Sequence, residues 1–337
     1  MTPLRKGPHC TKGLEGSHPL AFRLAPLTLA VFAAAAPPAL AQAWVPPAGI
    51  GSVTVAVQTI NNTGHTNADG LFTKIGRSVN TRIDIEADYA LTDRLSLSAG
   101  LPFVLAKYVD PLPYGPPGSA VSDVPAGMIP FPPRDQCRCW QSGWQDFGFS
   151  ARYNLINGAF ALTPSVSFGV PSHDYQFRGE AVVGQRLKEM RVGVDAGQRL
   201  SAISPNLYIQ GRYSYAFVER VIDIPNNRSN ATVEGGFLMT RRLAVRGVLL
   251  WQRVHGGLSF GGSKLPFPGE VNTPERMFQH DRLLRDNNWR LGAGVTYSMR
   301  QMDVFASYVE FVQGTDSHAG RAFTTGISWP FELGRAP

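Results

Sequence analysis

Histidine and aspartate lie side by side or one residue apart at three places in this chain: His173-Asp174, His280-Asp281, and Asp316 with His318. A carboxylate next to an imidazole can orient the ring as a general base that takes a proton from water, which is chemistry suited to hydrolysis. All three places lie in polar stretches, and loops collect such residues in any protein. The chain has no G-x-S-x-G, H-E-x-x-H or Walker motif. We therefore expect no catalytic residues and no enzyme activity.

A second group of charged residues follows a strict spacing. Arg82, Asp84, Glu86 and Asp88 occupy alternate positions, and the residues between them are apolar. This period of two is that of a β-strand with one charged and one apolar face. The charged face would meet water on the outside of a soluble sandwich, but it would line the lumen of a barrel whose apolar face meets lipid.

The connections between the strands distinguish these two folds. The alternating pattern recurs in twelve segments between residues 53 and 331, joined alternately by tight turns and by long connections. The long connections are at 60–77, 109–143, 172–190, 219–229, 254–287 and 313–320. Tight turns at one end and long loops at the other are typical of outer-membrane barrels, with the turns in the periplasm. The sequence therefore predicts an all-β fold, a transmembrane antiparallel up-and-down β-barrel of about 12 strands with long extracellular loops.

The charged faces of these strands are predicted to point into the barrel. A charge that faces lipid near the bilayer midplane costs about 2–4 kcal/mol, whereas charges in a lumen can pair or stay hydrated. Aromatic residues near the strand ends of the apolar face, such as Trp251 and Trp289, would form the interfacial girdles. The predicted pore-lining residues are Arg82, Asp84, Glu86, Asp88, Asp146, Arg152, Arg191, Asp195, Arg199, Arg212, Glu234, Arg246 and Arg290.

Residues 1–41 have the organisation of a secretory signal peptide. Cations come first, then a short apolar run, and the segment ends in Ala39-Leu40-Ala41, a small-x-small cleavage site. Beyond residue 41 no stretch approaches the roughly 18 apolar residues of a membrane helix. We predict a signal peptide over 1–41, a barrel over 42–337 and a location in the cell outer membrane.

Charge and cysteine content limit the partners. The leader contributes +3 of the formal net charge of +7, which leaves +4 without any basic run, so we expect no nucleic-acid partner.

Cys137 and Cys139 are the two cysteines beyond the leader. They lack the second pair of ligands that a zinc site needs, so we expect no metal and no cofactor. The two cysteines could form a small-loop disulfide or remain two free loop thiols.

Residues 110–135 contain eight prolines, too many for a strand or a helix. Such a segment could fold inwards and constrict the pore, or it could remain a flexible exterior loop.

Three stretches carry a resemblance to a known family. The segment QAWVPPAGIGSVTVAVQ, the hairpin region 286–329 and the aromatic last strand resemble a broad family of bacterial outer-membrane barrels. That family is described as transporter-like and is associated with the meta-pathway of phenol degradation. The resemblance implies passage of small solutes, including aromatic or apolar ones, and no catalytic residues. Many such barrels end on an aromatic residue, whereas here Phe331 is followed by residues 332–337.

Passive uptake of small solutes through a narrow charged lumen is the function that these features favour. A structural or adhesion barrel is one alternative, and a protease active at the barrel rim is another. A phospholipase would need serine and histidine together on the lipid-facing side, where the strand pattern places no histidine. The expected partners are outer-membrane lipid and lipopolysaccharide, the barrel-assembly machinery and a small-molecule solute.

Overall fold

The computed structural model describes residues 43–74, 77–109, 140–177, 182–259, 261, 270 and 273–333. The predicted signal peptide, the proline-rich segment 110–135 and the cysteines Cys137 and Cys139 lie outside the described residues.

Fourteen strands and one helix make up this part of the chain. The strands are β1 Ile50–Thr66, β2 Phe72–Thr73, β3 Ser78–Ala90, β4 Leu95–Tyr108, β5 Trp140–Trp144, β6 Asp146–Tyr153, β7 Phe160–Pro171, β8 Glu189–Arg199, β9 Leu207–Val218, β10 Asn226–Leu238, β11 Leu243–Gly256, β12 Asn287–Ser298, β13 Asp303–Thr315 and β14 His318–Glu332. The helix α1 is Pro274–Leu283. It is too short and too polar to cross a membrane, and so is any other helical segment of the described residues.

The strands form one closed antiparallel sheet. Each long strand pairs with its neighbours in the chain, and β1 closes the sheet on β14 from Ile50 opposite Glu332 to His65 opposite His318. The short strand β5 continues the line of β6 along the same neighbour β4, with its register displaced by one residue. The barrel wall therefore has twelve strands, and the predicted up-and-down barrel of twelve strands is confirmed.

Apolar side chains cover the outside of this barrel. Residues at alternate positions of every wall strand keep a large part of their surface exposed, among them Ile85, Phe149, Val192, Val233, Leu291 and Phe323. An exposed apolar belt of this extent would aggregate in water, but it is solvated by lipid acyl chains. Aromatic pairs lie near both ends of the belt: Tyr89 stacks on Phe331 at one end, and Trp251 packs against Trp289 at the other. The barrel thus has the outer surface of a membrane-spanning protein.

Two predicted loops are shorter than expected. The connection predicted over 313–320 is a turn of only Asp316 and Ser317, and β1 runs on to Thr66 although the loop was predicted to begin at 60. Asp316 has a positive φ of 49°, and its amide donates to the carbonyl of Asn67. Both strand faces are polar at these extracellular ends, so hydrophobic periodicity does not mark the strands there.

Replacing Ile85 with Arg would place a cation on the lipid-facing side of β3, near the middle of the strand. We expect the free energy of unfolding to fall by about 2–4 kcal/mol, because the charge must be desolvated in lipid. Urea unfolding in lipid vesicles measures this. Ser98→Arg is the matched control, since Ser98 lies on the inner face next to Asp88 in the β3–β4 register. Equal losses in the two variants would contradict the assigned facing.

Candidate functional site

The predicted pore-lining residues all stand on strand faces opposite the exposed apolar belt. Their position follows from the alternation: Val192 and Val194 are exposed on the outside of β8, so Arg191 and Asp195 point the other way. Most of them have an ionic or hydrogen-bonding partner on the same or the adjacent strand. The inner face is therefore a network of paired charges rather than a row of isolated ones.

The best-defined pair joins β8 and β9. Asp195 lies directly opposite Arg212 in the register, and its two carboxylate oxygens accept from Nε at 2.6 Å and Nη2 at 3.1 Å. The Asp195 side chain is 3% exposed, whereas that of Arg212 is 35% exposed. A bidentate pair of this kind holds the guanidinium group in one orientation and leaves part of it accessible from the lumen.

A second network is centred on Glu234 of β10. Its Oε1 accepts from the Tyr208 hydroxyl at 2.8 Å and from Gln210 Nε2 at 2.9 Å. Nε of Arg246, on the adjacent strand β11, lies 3.9 Å from the other oxygen. Tyr208 and Gln210 come from β9, so this one carboxylate connects three neighbouring strands.

The acidic row on β3 is only partly neutralised along its own wall. Arg82 donates to Asp84 at 2.6 Å, and Arg152 of β6 lies 3.9 Å from Asp88. Glu86 lies between these two pairs on the same inner face. The cations that contact this row come from β3 itself and from β6.

Near the extracellular end, Glu189 accepts from Arg191 at 2.7 Å and from Arg228 at 2.5 Å. Sequence reasoning missed Glu189 and Arg228 because it placed them in the connections 172–190 and 219–229, whereas β8 and β10 begin earlier than predicted. The three remaining predicted residues have other contacts. Asp146 accepts from the Tyr175 hydroxyl. Arg290 donates to Asn288 at 3.1 Å, and Arg199 lies over the Trp44 ring at 5.6 Å.

Within the described residues, no group of three or more His, Cys, Asp or Glu side chains could hold a metal ion.

The inner wall formed by β11, β12 and β13 is less polar. Val248 and Val309 flank Gly292, where an added Cβ would lie 3.1 Å and 2.7 Å from their methyl groups. Phe305 also points inwards, covering Gly326. The lumen therefore has a wall of ion pairs on one side and an apolar patch on another.

The periplasmic mouth is crossed by the segment that precedes β1. Ala43 is fully buried, and its amide donates to Gln210 on β9 at 3.2 Å. Its carbonyl accepts from Thr163 at 2.6 Å and from Asn154 at 3.1 Å. Since β9 is six strands from β1 in either direction around the wall, residues 43–49 span the whole opening.

The wall is shaped to receive this segment. At Gly197 of β8, an added Cβ would lie 2.5 Å from the Trp44 ring, so only glycine leaves room for the indole. The Trp44 indole N–H donates to the carbonyl of Gly158 at 2.9 Å. Sequence reasoning missed this N-terminal segment, because a short run with two prolines has no periodicity that indicates a position inside the barrel.

The extracellular mouth is narrowed by residues 172–177 and 182–188, which belong to the connection between β7 and β8. Tyr175 and Val183 are buried against Val104, Ala106 and Tyr108 on the inner face of β4. The Tyr175 hydroxyl donates to Asp146, and burial raises the pKa of Tyr175 well above its usual value. Residues 172–177 and 182–188 thus form an inward-folded loop at this mouth, whereas the inward fold predicted as one option for residues 110–135 falls outside the described residues and stays a prediction.

Helix α1 holds that loop in place through hydrogen bonds from Arg282. Arg282, which is almost completely buried, donates to the carbonyl oxygens of Gln185 at 2.9 Å and Arg186 at 2.7 Å. The guanidinium groups of Arg282 and Arg186 lie over the Phe177 ring at 4.3 Å and 4.4 Å. The helix lies within the predicted 254–287 connection and was not foreseen. Thr273, which caps it by accepting from the amide of Arg276, and the proline that follows are its signal in the sequence.

The histidine and aspartate pairs do not assemble into one site. His173 bonds to the Ser172 hydroxyl at 2.8 Å, and Asp174 pairs instead with Arg186. Asp316 accepts from the Ser259 hydroxyl at 3.1 Å. His280 lies on α1, and the side chain of Asp281 lies outside the described part.

The expectation that no histidine lies on the lipid-facing side is wrong. His255 stands on the outer face of β11, where its Nε2 lies 2.8 Å from the Ser229 hydroxyl. The predicted connection began at 254, so His255 was assigned to a loop although the strand continues to Gly256.

Comparison with known proteins identifies the fold. No protein-family model and no curated protein matches the chain. An outer-membrane channel from Pseudomonas putida F1 is similar in structure, with a TM-score of 0.61 and 11% identity over 86% of this chain and 98% of that chain. A KdgM porin gives a TM-score of 0.41 at 8% identity, covering 83% of this chain and 99% of that chain. A FadL homologue from Pseudomonas aeruginosa gives 0.35 at 10%, covering 83% and 88%.

This chain has the fold of an outer-membrane β-barrel. Its closed sheet and exposed apolar belt agree with a location in the cell outer membrane. At identities this low, the comparisons bear on the fold alone and leave the solute open.

Replacing Asp195 with Ala would leave the Arg212 guanidinium group without its carboxylate. We expect the free energy of unfolding to fall by about 1–3 kcal/mol. This loss is smaller than that for breaking a fully buried ion pair, because water reaches the Arg212 guanidinium group. Chemical denaturation in detergent measures it. The double variant Asp195→Ala/Arg212→Ala should recover part of the loss, and strict additivity of the two single changes would argue against the pair.

Replacing Arg282 with Ala would remove the donors that hold residues 182–188 to α1. We expect faster hydrogen exchange in that loop, corresponding to about 1–3 kcal/mol of lost local stability, since two buried carbonyl groups lose their partners. Mass spectrometry of amide exchange measures it. The matched control is Arg276→Ala on the same helix, because Arg276 donates to the carbonyl of Glu270 and not to the loop. Unchanged protection of the loop would contradict its fastening by Arg282.

Proposed function

We propose that this protein is a passive outer-membrane channel that takes up small solutes through a narrow lumen restricted at both ends by its own chain. The observation that carries the proposal is the paired-charge inner wall. Arg82, Arg191 and Arg212, on β3, β8 and β9, keep 35–43% of their side-chain surface exposed inside the barrel, which favours a lumen that contains water. A water-containing lumen between two aqueous compartments is a path for solutes.

The inner wall favours solutes with both polar and apolar parts. The ion pairs of β8 and β9 offer hydrogen bonds, while Val248, Phe305 and Val309 offer an apolar surface. Small aromatic molecules with a polar substituent have both properties. This class agrees with the resemblance to the family associated with the meta-pathway of phenol degradation.

Three further partners belong to this proposal. Outer-membrane phospholipid and lipopolysaccharide would surround the apolar belt. The barrel-assembly machinery would bind aromatic residues of the last strand. Trp329 and Phe331 lie on the outer face of β14, several residues before the last residue of the sequence.

A protease at the rim is less favoured, because the Asp174 carboxylate already pairs with Arg186.

Removal of residues 43–47 tests the channel and its periplasmic restriction together. We expect the shortened protein to give larger single-channel conductance steps in planar bilayers than the intact protein, because the segment anchored by Ala43 and Trp44 no longer crosses the mouth. The matched control is Ile203→Ala, in an exposed turn at the same end of the barrel.

Two other outcomes are informative. If the intact and the shortened protein are both silent although folded, the barrel is closed and a structural or adhesion role replaces the channel. If both conduct equally, the channel stands but residues 43–49 do not restrict it.

A further inference from the structure

A group of side chains joined by hydrogen bonds and ring contacts lies on the lipid-facing surface and has no place in the channel. It comprises Tyr213 and Tyr215 of β9, Ser229 of β10 and His255 of β11. Tyr213 is 48% exposed on the same outer face as Ile209 and Phe217. Ser229 lies between Tyr215 and Arg253 in the register of the three strands. These residues therefore belong to the membrane-facing side of the sheet and not to the lumen.

The geometry of the group is that of a nucleophile and its base. The Ser229 hydroxyl lies 2.8 Å from Nε2 of His255, within the range in which an imidazole takes a hydroxyl proton. The Tyr215 ring packs on the His255 ring with 5.6 Å between centroids, which fixes the imidazole plane. The Tyr213 hydroxyl lies 3.1 Å from the Ser229 oxygen and can donate a hydrogen bond beside it.

The group also lies at the depth where lipid ester bonds are found. Trp251 and Trp289 form the aromatic girdle toward the extracellular ends of β11 and β12. Arg253 lies opposite Ser229 and two residues beyond Trp251 on β11. At about 3.3 Å per residue, Ser229 is therefore roughly 7 Å closer to the extracellular side than Trp251. Girdle aromatics mark the boundary between acyl chains and headgroups. Arg253 is exposed there and can bind a headgroup phosphate.

We propose that Ser229 and His255 form a catalytic dyad that hydrolyses acyl ester bonds of glycerophospholipids in the outer leaflet. The Ser229 oxygen forms a bond to the ester carbonyl carbon while its proton passes to His255 Nε2, and Tyr213 donates to the carbonyl oxygen as it gains negative charge. The bond from that carbon to the glycerol oxygen then breaks, and His255 returns the proton to the leaving lysolipid. Water cleaves the acyl-serine in the same way and releases a fatty acid.

Access to the nucleophile depends on Tyr213. Ser229 is only 4% exposed, and the Tyr213 hydroxyl lies 3.1 Å from its oxygen. Tyr213 is itself 48% exposed on the lipid-facing side, so its ring has room to move toward lipid. A small rotation of this ring would uncover the serine oxygen and keep the Tyr213 hydroxyl within reach of the ester carbonyl oxygen, so activity should need a lipid surface and be weak toward soluble esters.

The test uses the full barrel in mixed micelles of dioleoylphosphatidylcholine and detergent. Released oleate and labelling by a fluorophosphonate probe are measured on the same preparations. We expect the wild type to release oleate and to be labelled at Ser229. Ser229→Ala and His255→Ala should each lower hydrolysis by roughly a hundredfold or more, and Ser229→Ala should abolish labelling at that peptide.

Two controls separate chemistry from structure. Ser150→Ala alters a hydrogen-bonded serine on the inner face and should leave hydrolysis and labelling unchanged. Tyr213→Phe keeps the ring but removes the hydroxyl, so it should lower hydrolysis while labelling persists. Folding of every variant is checked by its heat-dependent migration in gels. Folded wild type that releases no more oleate than folded Ser229→Ala, or that is not labelled at Ser229, overturns the proposal, whatever its conductance.

Discussion

The rest of the structure depends on one constraint. A membrane-spanning sheet must pair all its backbone N–H and C=O groups internally while its outer surface stays apolar. Pairing of β1 with β14 removes both sheet edges, so every wall strand has a neighbour on each side. Because alternate side chains must then point inwards, the polar half of each strand is gathered in the lumen. The lumen is consequently crowded with charges that have to neutralise one another, and the Asp195 and Arg212 pair is the clearest case.

Both restrictions of the lumen follow from that crowding. Polar groups such as Gln210 and Thr163 project into the barrel and offer hydrogen bonds to any chain segment that enters, and the segment at Ala43 uses them. At the other mouth, the loop before β8 meets Asp146 through Tyr175. The loop before β8 also brings apolar side chains, so small clusters of buried apolar residues form at the extracellular end of the barrel.

The outer surface is not uniform either. Most of it is apolar and interacts with lipid without specificity, but Ser229 and His255 place a hydrogen-bonded polar pair at the depth of the headgroups. A polar pair on that surface has to be satisfied internally in the acyl region, whereas at the interface it can also interact with lipid headgroups. A surface built for insertion and a site for lipid chemistry can therefore coexist on one barrel, while solute passage concerns only its inside.

The sequence by itself determined the barrel, the number of wall strands and the face of every strand except that over 302–312, because side chains alternate strictly along a strand and only one face tolerates lipid. In that strand the aromatic residues Phe305 and Tyr308 lie on opposite faces, so the pattern left its facing open. Residues such as Arg82 and Ile85 carry that information locally. The tertiary structure alone decided which charges meet, since Glu234 and Arg246 become partners through the register between strands. It also placed Ala43 and Tyr175 inside the barrel and His255 beside Ser229. Such contacts join residues distant in the chain, and no local period encodes them.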